Sequence, residues 1–232
     1  MPSAVIRHAA TDATVLRKTN GAAPVRDKSK ARLHGWCGTL KILPCGRDVG
    51  EYEAEIGIRA GALRGKRVLD IGSGFGVFGH ECRAKGIYVV DVDPSYSSFH
   101  TLYTNYGAWV RREYAEATRD TSAKVAAVHE TLPIKSESVD IVVSCYSSLY
   151  YASVNHGHTG AAPGAVRTML AETLRVLRRG GEAYLMLPPC APETNGVPDL
   201  MLGDIADSCS GASWSLLPAR SGNGVLKLSK RR

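Results

Sequence analysis

The sequence predicts an α/β fold with a mostly parallel sheet, and three observations support this prediction. The apolar run from Val68 to Ile71 ends at a glycine turn, and a helical segment, Val77 to Lys85, follows the turn. A second apolar run, 87–93, comes directly after that helix. Further along, the amphipathic segment 165–178 precedes another apolar run, 182–187. Strands and helices that alternate in this way form βαβ units, with helices on both faces of a parallel sheet.

Length and composition indicate one globular core. The chain has 232 residues, of which 44% are hydrophobic, and no run of about 18 apolar residues predicts a spanning helix. We therefore expect no membrane association. The six cysteines include no C-x-x-C pair, so they predict reduced thiols and neither a disulfide framework nor a metal site. These features favour a cytoplasmic protein. The alternative is an organelle transit peptide, because the start of the chain bears arginines and few acids.

Positive charge is concentrated at the two ends of the sequence. The net charge is +7; residues 1–35 hold seven Lys or Arg and two Asp, and the last six residues hold four bases. We predict a basic, disordered arm over residues 1–32, a flap or linker over 33–49, and a folded domain over 50–232. Basic ends can bind nucleic acid, and the alternative is that they are solvated tails.

The glycine turn predicts a site for a nucleoside-bearing cofactor. In Asp70-Ile71-Gly72-Ser73-Gly74-Phe75-Gly76, glycines let a ligand lie against bare backbone, and the next helix presents free N–H groups. The candidates in the turn are Gly72, Ser73, Gly74 and Gly76. A dinucleotide frame starting at Gly74 would bury Asp70 without an evident partner. In the other frame Asp70 ends the strand, where an acid suits the amino group and sulfonium of S-adenosylmethionine and would repel a pyrophosphate.

The second strand ends in acids that could hold a ribose. A carboxylate at this point can accept hydrogen bonds from two ribose hydroxyls. Asp93 lies 21 residues after Gly72, close to the expected spacing of about 20. We prefer Asp93, with Asp91 as the alternative because it points the same way along a strand. Pro94 is expected to pack against the adenine.

Three segments carry a resemblance to a known family. Asp70 to Gly76 resembles motif I of the class I S-adenosylmethionine-dependent methyltransferases. Residues 129–134 resemble the D-A-x-x-L-P-F turn beside the adenine in methyltransferases of the ubiquinone-biosynthesis type. The family's acid falls at Val128 here, so we expect Glu130 or a backbone carbonyl to replace it, with His129 as a further candidate. Residues 174–181 resemble the family's "hRVLkpGG" turn.

The resemblance runs from about Gly50 to Leu228 and has several implications. It implies a Rossmann-like, seven-stranded, mostly parallel sheet with an antiparallel last strand, and S-adenosylmethionine as cofactor. Ser144, at the end of the fourth strand, would then lie beside the cofactor. Tyr146 and Tyr150 would form hydrogen-bonding walls of the acceptor pocket, and His156 is a candidate acid or base.

Methyl transfer mainly requires that the acceptor be held in line with the methyl group. We therefore expect a methyltransferase that acts on an O, N or C atom of a small-molecule acceptor. The alternative acceptor is RNA, bound through the basic termini. Two alternatives of other classes are a nicotinamide-dependent oxidoreductase and a non-catalytic binding protein on the same scaffold. The sequence predicts no metal and leaves the oligomeric state open.

Overall fold

The computed structural model describes residues 47–97, 119–147, 149–150, 164–187 and 199–232. Seven strands form one sheet in the order β3-β2-β1-β4-β5-β7-β6. The strands are β1 (Arg67–Ile71), β2 (Tyr88–Val92), β3 (Lys124–Val125), β4 (Val139–Ser144), β5 (Leu177–Leu187), β6 (Ala212–Pro218) and β7 (Gly224–Lys230). The helices of the described residues are α1 (Val49–Ile56), α2 (Val77–Ala84), α3 (Ala165–Val176) and α4 (Asp199–Ser208), with 3₁₀ turns at Ala60–Leu63 and Pro94–Ser97.

The strand directions confirm the predicted fold class. The strands from β1 to β5 are parallel to one another, whereas β7 is antiparallel to both of its neighbours, β5 and β6. The last strand of the chain is therefore inserted between β5 and β6 and runs against the others. Because the parallel strands share one direction, their carboxyl ends meet at one edge of the sheet, which is where ligands bind in open α/β folds.

Apolar residues cover both faces of the sheet, as expected for a parallel sheet between helices. Leu69 and Val142 pack with α3 on one face. Val68 and Val143 pack with α1 and α2 on the other. Side chains alternate between the faces along each strand, so Asp70 and its partner in register, Asp91, lie on the α1 and α2 face.

A bulge in β5 corrects the predicted start of that strand. The sequence predicts a helix to Arg178 and a strand from Glu182, but α3 ends at Val176 and β5 begins at Leu177. Val139 pairs with Leu177 and Ile141 pairs with Glu182, so residues 178–181 protrude around Asp140. Gly180 has a φ of 73°, which a residue with a Cβ rarely adopts. A Cβ on Gly181 would lie only 3.0 Å from the carbonyl oxygens of Arg178 and Asp140, so each glycine of the pair has its own reason.

The basic C-terminus is not a solvated tail, which was one of the two alternatives for the basic ends. Lys227 lies in β7 and pairs with Glu182 at 2.8 Å. The Nζ of Lys230 donates to the carbonyls of Leu174 and Leu177, both at 2.8 Å, and so closes the end of α3. Two of the four bases therefore stabilise the fold itself.

The predicted arm, residues 1–32, lies outside the described residues, as does nearly all of the predicted linker, residues 33–49, so both stay predictions. In the described part of the chain, no helix has the length and apolar character needed to cross a membrane. Nor do the described side chains include a group of three or more His, Cys, Asp or Glu that could hold a metal ion.

Candidate functional site

The glycine turn joins β1 to α2 at the carboxyl edge of the sheet. The N–H of Gly72 donates to the carbonyl of Val92 at 2.7 Å, which ties the turn to the end of β2. Gly72, Gly74 and Gly76 have φ values of 71°, 56° and 72°. The chain can follow this path because glycine has no Cβ. Gly76 then forms the N-terminal boundary of α2.

The space over Gly72 is occupied by protein. A Cβ built on Gly72 would overlap the Ser147 side chain, and the hydroxyl of Ser147 is hydrogen-bonded to that of Ser144. Both serines are buried. The predicted site residues Ser144 and Gly72 therefore lie close together, at the ends of the neighbouring strands β4 and β1. The bare backbone of Gly72 makes room for the side chain of Ser147, whereas the sequence predicted that it makes room for a ligand.

Asp93 is part of the turn's own structure. Its Oδ2 accepts a hydrogen bond from the N–H of Gly74 at 2.9 Å, and the residue is buried. Ser73 lies next to it, with its hydroxyl 2.8 Å from the hydroxyl of Tyr96. Pro94 follows Asp93 and is exposed. The predicted ribose candidate, the predicted adenine contact and the glycine turn therefore adjoin one another.

Asp91, the alternative to Asp93, does not share this location. Its carboxylate is fully buried, and its Oδ2 accepts from Arg83 of α2 at 2.9 Å. A Cβ built on Gly79 would overlap this carboxylate, so the glycine lets α2 approach it. Burial raises the pKa of Asp91 to about 6, against the opposing effect of Arg83. The carboxylate of Asp91 is therefore covered by α2, which makes Asp93 the better placed of the two acids.

Asp70 lies at the carboxyl end of β1, as predicted, but it is completely buried. The hydroxyl of Tyr52, from α1, lies 2.8 Å and 3.0 Å from its two carboxylate oxygens. The Tyr52 ring stacks on Phe78 with centroids 4.0 Å apart. Burial and the nearby charge of Asp91 raise the pKa of Asp70 well above its usual range, and the hydrogen bond from Tyr52 opposes this.

The residues of this edge fit a cationic, phosphate-free cofactor. Three acids lie beside the turn, and the charges of Asp91 and Asp93 both raise the pKa of Asp70. The buried Oδ1 of Asp91 has no hydrogen-bond partner among the described residues. A positive group near this cluster would reduce the repulsion between the acids, whereas a pyrophosphate would increase it.

Sequence reasoning missed Arg83, Tyr96 and Lys124. Arg83 lies four residues after Gly79, which places both on the α2 face that covers Asp91, and this spacing was the available signal. Lys124 donates to the carbonyl of Phe75 at 3.1 Å and lies 5.2 Å from the centre of the Tyr96 ring. No sequence pattern marks this contact, because β3 meets the turn only in the folded sheet.

The segment that contains His129 and Glu130 is tied to α3. The Thr173 hydroxyl donates to the carbonyl of Met169 at 2.9 Å, so its oxygen accepts from the Nε2–H of His129 at 2.8 Å. The His129 ring is buried, and burial lowers its pKa to about 4. Glu130 is half-buried. The ring of His129 is thus engaged inside the protein by Thr173, and its predicted contact with the cofactor stays a prediction.

The end of β4 carries the predicted acceptor-side tyrosines. Tyr146 and Tyr150 are half-buried, with ring centroids 5.2 Å apart. The Tyr146 hydroxyl accepts from the amide of Asn223 at 2.9 Å, and the Arg47 guanidinium lies 4.2 Å from its ring centre. Burial raises the pKa of Tyr146 well above its usual range. His156 lies outside the described residues.

Cys145 also lies at this end of β4. The thiol is buried, and burial raises its pKa to about 12. Because the thiolate is the nucleophilic form, such a thiol is unreactive at neutral pH.

Comparison with known structures shows the same fold at low sequence identity. The structure of the complex between the Haloferax volcanii Trm112 methyltransferase activator and a methyltransferase matches with a TM-score of 0.50 at 14% identity, covering 79% of this chain and 91% of that one. The 1,6-didemethyltoxoflavin-N1-methyltransferase of Burkholderia thailandensis, with S-adenosylhomocysteine bound, has a TM-score of 0.46 at 16% identity, covering 75% and 76%.

A third structure is the 16S rRNA N2 G1207 methyltransferase of T. thermophilus, in complex with AdoMet and guanosine. Its TM-score is 0.45 at 16% identity, and the match covers 72% of this chain and 36% of that one. No curated protein sequence matches the chain.

The family comparison decides between the alternatives for the glycine turn. Residues 69–185 match the model of the methyltransferase domain family. The match covers half of the chain, including the turn and the ends of β1, β2 and β4, and it excludes the nicotinamide-dependent alternative. The chain belongs to the methyltransferase domain family.

Proposed function

We propose that the protein transfers the methyl group of S-adenosylmethionine to a small-molecule acceptor held at the carboxyl end of β4. The observation that carries this proposal is the acid-lined glycine turn, in which Asp93 holds the N–H of Gly74 at 2.9 Å. When bound, S-adenosylmethionine supplies a methyl group on a sulfonium, which is electrophilic and needs no metal.

The turn and Asp93 supply the cofactor contacts in this proposal. Asp93 accepts hydrogen bonds from the ribose hydroxyls while its Oδ2 keeps the turn closed. Gly74 and Gly76 present backbone to the cofactor, and the exposed Pro94 packs on the adenine. Asp70, which Tyr52 orients at 2.8 Å, favours the positive charge of the amino acid end of the cofactor.

The adenine contact comes from the backbone near Glu130 in this proposal. The family's usual acid is replaced by Val128, and the ring of His129 is engaged by Thr173 at 2.8 Å. Leu132 and Ile134 carbonyls accept from Arg175, each at 2.8 Å, and this fixes the backbone of the segment. A fixed carbonyl can accept from the adenine amino group as the family's carboxylate does.

Tyr146 and Tyr150 position the acceptor. The raised pKa of Tyr146 keeps its hydroxyl protonated at neutral pH, so the phenol acts as a hydrogen-bonding group and not as a base. Asn223 fixes its orientation at 2.9 Å. The pair of half-buried rings, with Arg47 stacked on one of them, makes an enclosed wall that suits a small acceptor.

A second candidate acceptor is RNA, and the net charge of +7 favours it. Labelled S-adenosylmethionine distinguishes the two candidates when the protein is incubated separately with a small-molecule extract and with total RNA. We expect the label in the small-molecule fraction. Label in RNA alone would favour RNA over a small molecule as the acceptor. If the protein binds S-adenosylhomocysteine but transfers label to neither fraction, both candidates are contradicted.

Two variants test the acceptor wall. Tyr146→Phe and Tyr150→Phe should lower turnover and leave the affinity for S-adenosylhomocysteine within about twofold, a change of less than a kcal/mol. Tyr88→Phe is the matched control, since Tyr88 is exposed and begins β2 at the other edge of the sheet. Equal turnover in all three variants would show that the hydroxyls of Tyr146 and Tyr150 do not position the acceptor.

A further inference from the structure

The edge of the sheet opposite the glycine turn carries the positive charge of the folded domain. β1, β2, β4 and β5 begin at this edge, and the antiparallel β7 ends there. We call it the basic edge and define it by residues 64–67, 85–88, 135–140, 178–182 and 230–232. It holds ten Lys or Arg and three Asp or Glu, a net of +7, equal to the net charge of the whole chain. Adding Arg119 and Asp120, which precede β3, leaves this net unchanged.

The acids of the basic edge neutralise only part of its charge because bases share them. Asp140 pairs with both Arg67 and Arg178. Glu137 pairs with Lys230 at 3.2 Å and lies 4.0 Å from Arg179. Each carboxylate therefore leaves one of its two bases uncompensated. The side chains remain accessible: Arg67, Arg178 and Arg179 are 53%, 45% and 73% exposed.

An aromatic side chain lies among these bases. Tyr88 is 61% exposed and is the neighbour of Arg67 in the register of β1 and β2. A pocket of about 160 Å³ opens on the same edge, with Lys66, Arg178 and Tyr184 in its lining. Sites for single-stranded nucleic acid combine Lys and Arg side chains with an exposed aromatic ring, because the cationic side chains bind the phosphates and a nucleobase stacks on the ring.

We propose that the basic edge binds the phosphodiester backbone of single-stranded nucleic acid. Six of its ten bases are arginines, whose planar forks match phosphate oxygens in two-point contacts. An anionic membrane is the less suitable partner. Of the exposed large hydrophobic side chains among the described residues, only Tyr88 belongs to this edge, and Val128, Trp214 and Leu217 do not.

This surface is separate from the reacting centre. β1 has five residues, so the basic edge lies about 15 Å from the glycine turn at the usual rise of a strand. The bound strand is therefore anchored away from the methyl group. The proposal does not depend on which acceptor is methylated. If the acceptor is RNA, the basic edge holds the part of the strand that flanks the methylated nucleotide.

Fluorescence anisotropy with the full chain and a labelled oligouridylate of about 20 nucleotides tests this proposal. Oligothymidylate and vesicles of phosphatidylserine and phosphatidylcholine are titrated in parallel. Arg179→Glu/Arg232→Glu should weaken oligouridylate binding roughly tenfold, and the slope of affinity against salt should fall by about 0.7 for each lost phosphate contact. Tyr88→Leu should weaken binding and leave that slope unchanged, because it removes stacking and no charge.

Arg220→Glu is the matched control, since Arg220 is exposed in the turn between β6 and β7 at the other edge of the sheet. It should keep the affinity within about twofold. Three results would overturn the proposal. The control and the double variant could lose affinity equally, the protein could bind neither oligonucleotide, or it could bind the vesicles more tightly than the oligonucleotides. Affinity for S-adenosylhomocysteine, measured in the same variants, should not change. Its absence in the unaltered protein would contradict the proposed function and leave the oligonucleotide result standing.

Discussion

Asp91 and Asp93 are two residues apart and have opposite surroundings. Asp91 is enclosed by α2 and paired with Arg83 at 2.9 Å, whereas Asp93 lies at the turn and holds Gly74 at 2.9 Å. A buried carboxylate is tolerated only with a partner, since desolvation otherwise favours its neutral form. Arg83 provides that partner and also bonds Asp120 at 2.8 Å. Arg83, which has no role in the sequence motif, thus opposes the effect of burial and favours the ionised form of Asp91.

Removing Arg83 should therefore destabilise the fold strongly. Arg83→Met leaves Asp91 buried without its cation, and we expect a loss of about 3 kcal/mol in the free energy of unfolding. Urea unfolding at neutral pH measures it. The matched control is Arg167→Met, because Arg167 makes two ion pairs, with Asp204 and Asp207, on an exposed surface. The control should cost far less, because water screens an exposed ion pair. Equal effects of the two changes would show that the pairing of Asp91 is unimportant.

Because His129 is buried, we expect the protein to lose stability in mild acid. Its pKa in the folded protein is about 4, below the ordinary value of 6.5, because the ring is buried. The unfolded chain therefore binds a proton as the pH falls through 6.5, and the folded chain does not until about pH 4. The buried, neutral His129 therefore contributes fully to the free energy of unfolding above pH 6.5, and this contribution is lost by pH 4. The change is up to about 3 kcal/mol.

Comparison of the protein with His129→Gln across this pH range isolates the effect. Asp91 has the opposite effect on the free energy of unfolding. Its pKa in the folded protein is about 6, so the folded protein keeps a proton that the unfolded chain loses as the pH rises from about 4 to 6, and stability falls over that range. Both proteins share that trend, so it cancels in the difference. The difference in unfolding free energy should shrink as the pH falls from 6.5 to 4. A constant difference would mean that His129 is accessible to protons in the folded state.

At the scale of elements, glycines decide how closely helices approach the sheet. Gly79 in α2 lies on the carboxylate of Asp91, where a Cβ would overlap it. Gly203 in α4 is exposed, and a Cβ there would meet nothing within 4 Å. The same residue type in two helices therefore has a packing role in one and a conformational cost in the other.

Changing each of these glycines to alanine should have opposite effects. Gly79→Ala should destabilise the protein by about 1–3 kcal/mol, because the buried carboxylate or the helix must shift. Gly203→Ala should stabilise it by about 0.5–1 kcal/mol, because alanine favours the helix. Thermal unfolding of the two variants gives the comparison. Destabilisation of equal size at both positions would contradict the close approach of α2 to β2.

The sequence was sufficient for the elements that rest on local patterns. Apolar runs located β1 and β2, the glycines located the turn, and the antiparallel last strand that the resemblance implied was confirmed as β7. The bulge of residues 178–181 was missed because it depends on pairing across β4, which no local pattern encodes. The partner of Asp70 was missed for the same reason, since Tyr52 lies 18 residues away on α1.

For the whole molecule, charge separates between the two edges of the sheet. Acids gather at the carboxyl edge beside the glycine turn, and bases gather at the amino edge, where the C-terminal residues join them. Composition alone gave the size of the charge but not its location, because the turns before β1, β2, β4 and β5 are far apart in sequence. Lys230 illustrates this: it is a terminal residue whose amine closes α3.

Deleting residues 1–32 should leave the cofactor site intact. The glycine turn, Asp93 and all seven strands lie within residues 67–230, so we expect the affinity for S-adenosylhomocysteine to stay within about threefold. Calorimetric titration of the shortened chain measures it. Loss of cofactor binding by a shortened chain that still unfolds cooperatively would assign those residues to the cofactor site and move the predicted domain boundary.

The central claim is that Asp93 and the glycine turn form the S-adenosylmethionine site, and calorimetric titration with S-adenosylhomocysteine tests it most directly. The unaltered protein should bind. Asp93→Ala should weaken binding at least tenfold, about 1.4 kcal/mol or more, because it removes the ribose acceptor and the partner of Gly74. Asp207→Ala is the control, since this acid is 64% exposed on α4. Unchanged affinity in a folded Asp93→Ala variant would place the cofactor elsewhere and contradict the account.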